Sequence, residues 1–176
     1  MILWNHHMRM EHVRLPDLVA KVSAGKVLVP PVEPWPLERR ALLMDSMIQG
    51  LPIGAMTHLY HGNTVEIVDG AARLHAIMTA LTTPELAWDL DEERVVPATR
   101  AHRFLLTTAW DSQATHEAER RQRDERTANK MRNVSTRLRE AWIPTIRVTV
   151  DESEVDEVRR RMRGATGCLQ DKEQSK

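Results

Sequence analysis

The strongest constraint on the fold is a change of hydrophobic period within residues 64–81. Residues 64–68 form a short β-branched run, and from Ala71 onward apolar residues recur at the spacing of one helix face. Asp69-Gly70 separates the two patterns, and glycine adopts backbone conformations that other residues avoid. The pattern therefore predicts a strand, a tight turn and a helix, in that order.

A helix that begins at this turn would present its first backbone amides to the space in front of it. Such amides attract anions, phosphate above all. We therefore predict a phosphate site made by Gly70, Ala71 and Ala72, with Arg73 placed to fork onto a phosphate oxygen. Asp69 is either the N-cap of the helix or a carboxylate with a functional role. A purely structural turn explains the same spacing, because aspartate is a common cap and an early arginine is often only solvated.

Other elements follow from period and from the positions of proline and glycine. The sequence predicts helices over 15–25, 37–49 and 152–163, the last of them ended by the glycines of 164–167. It predicts strands over 26–29, 56–60 and 142–150, with a three-residue loop at 61–63 between the second strand and residues 64–68. Residues 1–12 are interpreted as a solvated or loosely packed segment, and 111–140 as a charged helical or mobile insertion. Residues 85–100 have a mixed pattern that indicates no single element.

Composition narrows the class of protein. The chain has 176 residues, which fits one domain, and its net charge of zero provides no overall field for nucleic acid. The arginines of 115–140 leave a local DNA-binding patch as an alternative. No apolar run approaches the length of a membrane span, and one cysteine, Cys168, excludes an internal disulfide and a multi-cysteine zinc site. We expect a cytoplasmic protein that does not bind membranes.

A metal site is not predicted. The acids of 89–93 could attract a cation, but a solvated acidic loop explains them better. A nuclease acting alone is disfavoured, since the sequence has no His-Asn-His metal cluster and no room for a second catalytic domain after residue 164.

The order of three motifs resembles a known family. The motifs are GKVLVPPVEPW at 25–35, DSMIQGLPI at 45–53 and IVDGAARLHAI at 67–77. They are similar to IPxYQRxxxW, DSILxGxPIP and xxDGQQRLTAL of the ParB/sulfiredoxin-like N-terminal domain of GmrSD-type restriction proteins. The resemblance covers residues 14–81 and extends weakly to the strand and helix of 141–164.

The resemblance implies an α+β fold, a small mixed sheet flanked by helices. It implies a single ParB-like domain over 1–176, with its core in 14–81 and 141–164 and the insertion at 111–140. It also implies binding of a nucleoside triphosphate with Mg²⁺, hydrolysis in some members, and a role in restriction or defence against foreign DNA, with DNA and a nuclease subunit as partners.

This chain departs from the family at two places. The Gln pair is replaced by Ala71-Ala72, and the Gln-Arg pair by Glu33-Pro34. The candidate catalytic residues are then Asp69 and Glu33, and Trp35 either stacks on a base or belongs to the core. Two functions stay open: a nucleotide-binding domain that hydrolyses its ligand, and a catalytically degenerate interaction or DNA-binding module of the same fold.

Overall fold

A computed structural model describes residues 7–100, 104–122 and 124–170, and residues 163–170 as backbone alone. The predicted single domain over 1–176 and the side chain of Cys168 thus extend beyond the described residues. In chain order the described elements are β1 (His7–Arg14), α1 (Leu15–Ser23), β2 (Val27–Leu28), α2 (Leu37–Ile48), β3 (Met56–His61), β4 (Thr64–Asp69), α3 (Ala71–Thr82), β5 (Leu86–Asp89), β6 (Arg94–Pro97), α4 (Leu106–Trp110), α5 (Ser112–Arg121), α6 (Glu125–Glu140), β7 (Trp142–Thr149) and, after a 3₁₀ turn at Glu152–Glu154, α7 (Val155–Gln170).

Five strands form one mixed sheet in the order β1-β7-β3-β4-β2. The pairs β7/β3 and β4/β2 are parallel, and β1/β7 and β3/β4 are antiparallel. β2 is the short edge strand, and it pairs with β4 only at Val65 and Glu66. The α+β fold class with a mixed sheet flanked by helices is confirmed.

Hydrophobic side chains cover both faces of the sheet. One face packs against helices α1 to α4 and α6, and the fully buried members of this core include Leu15, Met44, Ile67, Leu74, Phe104 and Leu138. On the other face α7 places Val155 and Val158 over Leu59 and Val148. The two layers fix the register of β3 and β4, because a slip by one residue would move every core side chain to the wrong face.

The predicted helices over 15–25 and 37–49 and the strand over 142–150 are confirmed, and the strand predicted over 26–29 is the shorter β2. The described residues of 111–140 form α5 and α6. The second of these helices buries Met131, Val134 and Leu138 in the main core, and its charged side chains lie on the opposite face. None of the helices in the described ranges has the length and apolar character that a membrane span requires.

The interpretation of residues 1–12 as a solvated segment is wrong for residues 7–12, which belong to β1; residues 1–6 lie outside the described part. β1 pairs with β7 along its full length. Arg9 and Glu11 of this strand form an ion pair with each other, Glu11 is partly buried, and Met8 and Met10 are exposed. The methionines therefore do not mark a buried face, and pairing with a distant strand forms the element.

The sequence assigns no element to residues 85–100, which contain the hairpin β5–β6, with the acids of 89–93 at its turn. Two further predictions need correction. The loop between β3 and β4 has two residues, Gly62 and Asn63, because His61 still pairs with Thr64. The glycines of 164–167 do not end α7, which continues to Gln170. A glycine inside a helix costs only about 1 kcal/mol, which does not by itself terminate the helix.

Candidate functional site

The predicted turn between β4 and α3 is present, and its conformation requires glycine. Gly70 has φ +90°, and a Cβ atom there would lie 2.7 Å from Cγ of Met56. Gly70 occupies the N-cap position, so Asp69 is not the cap of the helix. No side chain in the described part of the chain caps α3, and the amides of its first turn have no helical partner.

A cavity of about 540 Å³ opens in front of this turn. One wall is the chain that follows β2, with Pro30, Pro31, Val32 and Trp35, and the other runs from Glu66 to Arg73. The cavity forms because β2 leaves the sheet after Leu28 while β4 continues to Asp69. It therefore lies beyond the carboxyl ends of two adjacent parallel strands, which is where open α/β sheets bind ligands.

Every predicted site residue except Glu33 lines this cavity. Ala71 and Ala72 contribute the first turn of α3. Trp35 lies partly buried against the core, and the guanidinium of Arg39 lies 3.9 Å from the centre of its ring. Glu33 is exposed on the loop before α2 and is not among the lining residues.

Arg73 holds the turn to the loop that precedes β3. Its Nη1 donates to the carbonyl oxygen of Ile53 (2.9 Å), and its Nη2 donates to the carbonyl oxygen of Ala55 (2.8 Å) and to Oδ2 of Asp69 (3.3 Å). The contact is close enough to require a second glycine, since a Cβ atom on Gly54 would lie 2.5 Å from Nη1. The guanidinium therefore braces the backbone around the cavity, and the three hydrogen bonds described above all go to protein atoms.

Both acids at the cavity are paired with arginine. Asp69 is 42% exposed and meets Arg73 at the distance given above. Glu66 is buried, and Arg159 of α7 donates to its Oε2 from Nε (2.8 Å) and from Nη2. The two guanidinium groups neutralise the two carboxylates, so the first amides of α3 supply the positive potential that remains.

No group of three or more histidine, cysteine, aspartate or glutamate side chains within the described ranges could hold a metal ion. The acids of 89–93 have structural partners instead. Oδ1 of Asp89 accepts hydrogen bonds from the amides of Asp91 and Glu92, and Glu93 forms an ion pair with Lys130 (2.8 Å).

Sequence reasoning missed Glu66 and the two prolines of the opposite wall. Glu66 interrupts a β-branched run, and an acid in a buried strand is a signal that it has a partner. No pattern in the sequence identifies Arg159 as that partner, because the pair joins residues 93 positions apart.

A scan of the sequence against models of protein families finds no match, and a search of curated proteins finds none. The resemblance to the ParB-like domain of restriction proteins therefore stays a prediction that rests on the three motifs.

Proposed function

We propose that this chain is a ParB-like nucleotide-binding domain that holds the phosphates of a nucleoside triphosphate at the start of α3. The single observation that carries the proposal is an uncapped helix N-terminus that opens, through a glycine with φ +90°, into a cavity of about 540 Å³. A cavity of this size falls in the range of small-molecule sites, roughly 300–1,000 Å³.

The amides of Ala71 and Ala72 are the proposed phosphate donors, because backbone groups do not depend on the glutamines that the family has there. Arg73 lines the cavity and positions the turn through its hydrogen bonds to Ile53, Ala55 and Asp69. Trp35 provides an aromatic surface on the opposite wall that suits a base.

The geometry favours binding over hydrolysis. Asp69 is the one predicted base at the cavity, and its carboxylate is engaged by Arg73, while Glu33 lies outside the lining. Hydrolysis needs a positioned water and stabilisation of the developing charge. The second candidate function, a catalytically degenerate interaction or DNA-binding module, is supported by the same two observations.

Calorimetric titration with ATP, GTP, CTP and UTP in the presence of Mg²⁺ tests the proposal, and a phosphate-release assay separates the two candidates. The informative variants lie at residue 72. Ala72→Glu places a carboxylate at the proposed phosphate position, so we expect affinity to fall at least about tenfold, whereas the neutral Ala72→Gln keeps it. Equal binding by wild type and Ala72→Glu, or no binding by wild type, would reject the proposal.

Sustained phosphate release that is lost in Asp69→Asn would instead establish an NTPase and remove the degenerate module. The broader parts of the hypothesis are a cytoplasmic restriction or defence system, DNA as a partner and a separate nuclease subunit. They rest on the motif resemblance alone. Affinity capture with the wild-type chain and with Ala72→Glu would show whether any partner depends on the nucleotide site.

A further inference from the structure

A second cavity lies on the other side of β2. It measures about 560 Å³, and its polar lining residues are Lys21, Lys26, His58, Tyr60, Asn63 and Thr64. They come from α1, the turn before β2, and the hairpin β3–β4. None of these residues lines the cavity in front of α3, so the two sites are separate.

His58 is the unusual member of this lining. It lies on the central strand β3, it is 3% exposed, and its Nε2 has no hydrogen-bond partner within the described residues. A buried polar atom without a partner is costly, and such atoms in folded proteins normally meet a protein group, an ordered water or a ligand. Because His58 also lines the cavity, a molecule bound there could supply the missing partner.

The charges around the cavity select the kind of partner. Burial lowers the pKa of His58 to about 4, so at neutral pH its imidazole is uncharged and offers one donor and one acceptor. Lys21 and Lys26 add two exposed ammonium groups at the opening. The acid that acts electrostatically on His58 is Glu11, which pairs with Arg9 and lies 3.7 Å from Nη1 of Arg147. The surroundings therefore carry a net positive charge.

We propose that this cavity, the His58 cavity, binds a small organic oxyanion. Its acidic group is held by Lys21 and Lys26, and a hydroxyl or carbonyl oxygen of the same molecule meets the imidazole of His58. A carboxylate and a phosphate monoester share this chemistry. The proposal does not rest on the nucleotide site.

The test is a nuclear magnetic resonance titration of the full chain with labelled histidine side chains. The His58 signals are assigned from their absence in His58→Gln. Sodium succinate and sodium phosphate are the two probes, and sodium chloride at equal ionic strength is the reference. We expect saturable shifts of the His58 imidazole with at least one probe, and the stronger probe identifies the class of oxyanion.

Substitutions at the opening locate the binding. Lys21→Gln and Lys26→Gln should each weaken the effective probe about tenfold, as expected for the loss of one charge-assisted contact. Arg121→Gln removes the same charge from the exposed end of α5 and should leave the titration unchanged. Two results would overturn the proposal. One is shifts that match the chloride reference, which would leave an enclosed water as the partner of His58. The other is saturable shifts that neither lysine variant alters, which would place the anion elsewhere.

Discussion

Replacement of Arg73 by alanine distinguishes a structural role of this side chain from a role in phosphate binding alone. If Arg73 mainly holds the turn to residues 53–55, Arg73→Ala destabilises the protein even without any ligand. If it served only to bind phosphate, the variant would lose affinity and keep its stability.

The magnitude follows from the contacts. The side chain of Arg73 is 19% exposed and donates to two backbone carbonyls and one half-exposed carboxylate. A hydrogen bond to a charged group contributes about 1.5–3 kcal/mol, and the pair with Asp69 adds about 0–1 kcal/mol because it is long and solvated. The carbonyls of Ile53 and Ala55 belong to partly exposed residues, so water replaces part of the loss. We expect the free energy of unfolding to fall by about 2–3 kcal/mol.

Urea denaturation followed by circular dichroism measures this change. Arg73→Lys is the matched control for charge, and it should lose about half as much, since an ammonium cannot fork between two carbonyls. Arg121→Ala removes an exposed guanidinium on α5 and should change stability by less than about 0.5 kcal/mol. A loss below about 0.5 kcal/mol in Arg73→Ala, with unchanged hydrogen exchange at residues 53–55, would refute the brace.

Three further predictions concern stability, each measured by urea denaturation. Gly70→Ala should cost about 3 kcal/mol, because left-handed strain is joined by a Cβ contact with Met56, whereas Gly25→Ala, with φ +67° and open space, should cost only about 1 kcal/mol; equal costs would contradict the close contact. Because burial lowers the pKa of His58, its contribution to the free energy of unfolding is complete above the ordinary pKa of 6.5 and is lost as the pH falls toward 4, by at most about 3 kcal/mol. The His58→Leu variant should lack this pH dependence, and the same dependence of stability on pH in both proteins would contradict the prediction. Arg159→Gln should cost about 2 kcal/mol by leaving Glu66 unpaired, and the double variant with Glu66→Gln should recover most of the loss; a double variant as unstable as the single one would argue against the pair.

Local signals in the sequence predicted the part of the site that is contiguous in the chain. The strand, the turn at Gly70 and α3 could be predicted because period and glycine chemistry act over a few residues. The partners of Arg73 could not, since they are backbone carbonyls that any residue could supply. β1 escaped prediction because its methionines are exposed and its partly buried residues include the charged Glu11, which obscures the usual alternation. Its pairing also depends on β7, where Thr145, the partner of Glu11, lies 134 positions away.

The cavity walls outside the turn also depend on contacts between distant parts of the chain, which the sequence does not reveal. The prolines after β2 predicted an extended segment, yet only the tertiary fold brings Pro30 and Pro31 opposite Glu66. His58 gave no signal, because a histidine on a strand next to apolar residues is ordinarily a satisfied surface or core group.

The brevity of β2 has a consequence for both cavities. Residues 25–28 line the His58 cavity, and the chain soon after them lines the cavity in front of α3 with Pro30, Pro31, Val32 and Trp35. This partition pairs with the sheet at two residue pairs, so a shift of β2 would break these two and leave the pairing of the other described strands intact. A molecule that settled against one side of it would restrict the side presented to the other. Because such coupling is reciprocal, each occupant would then change the affinity of the other by the same factor.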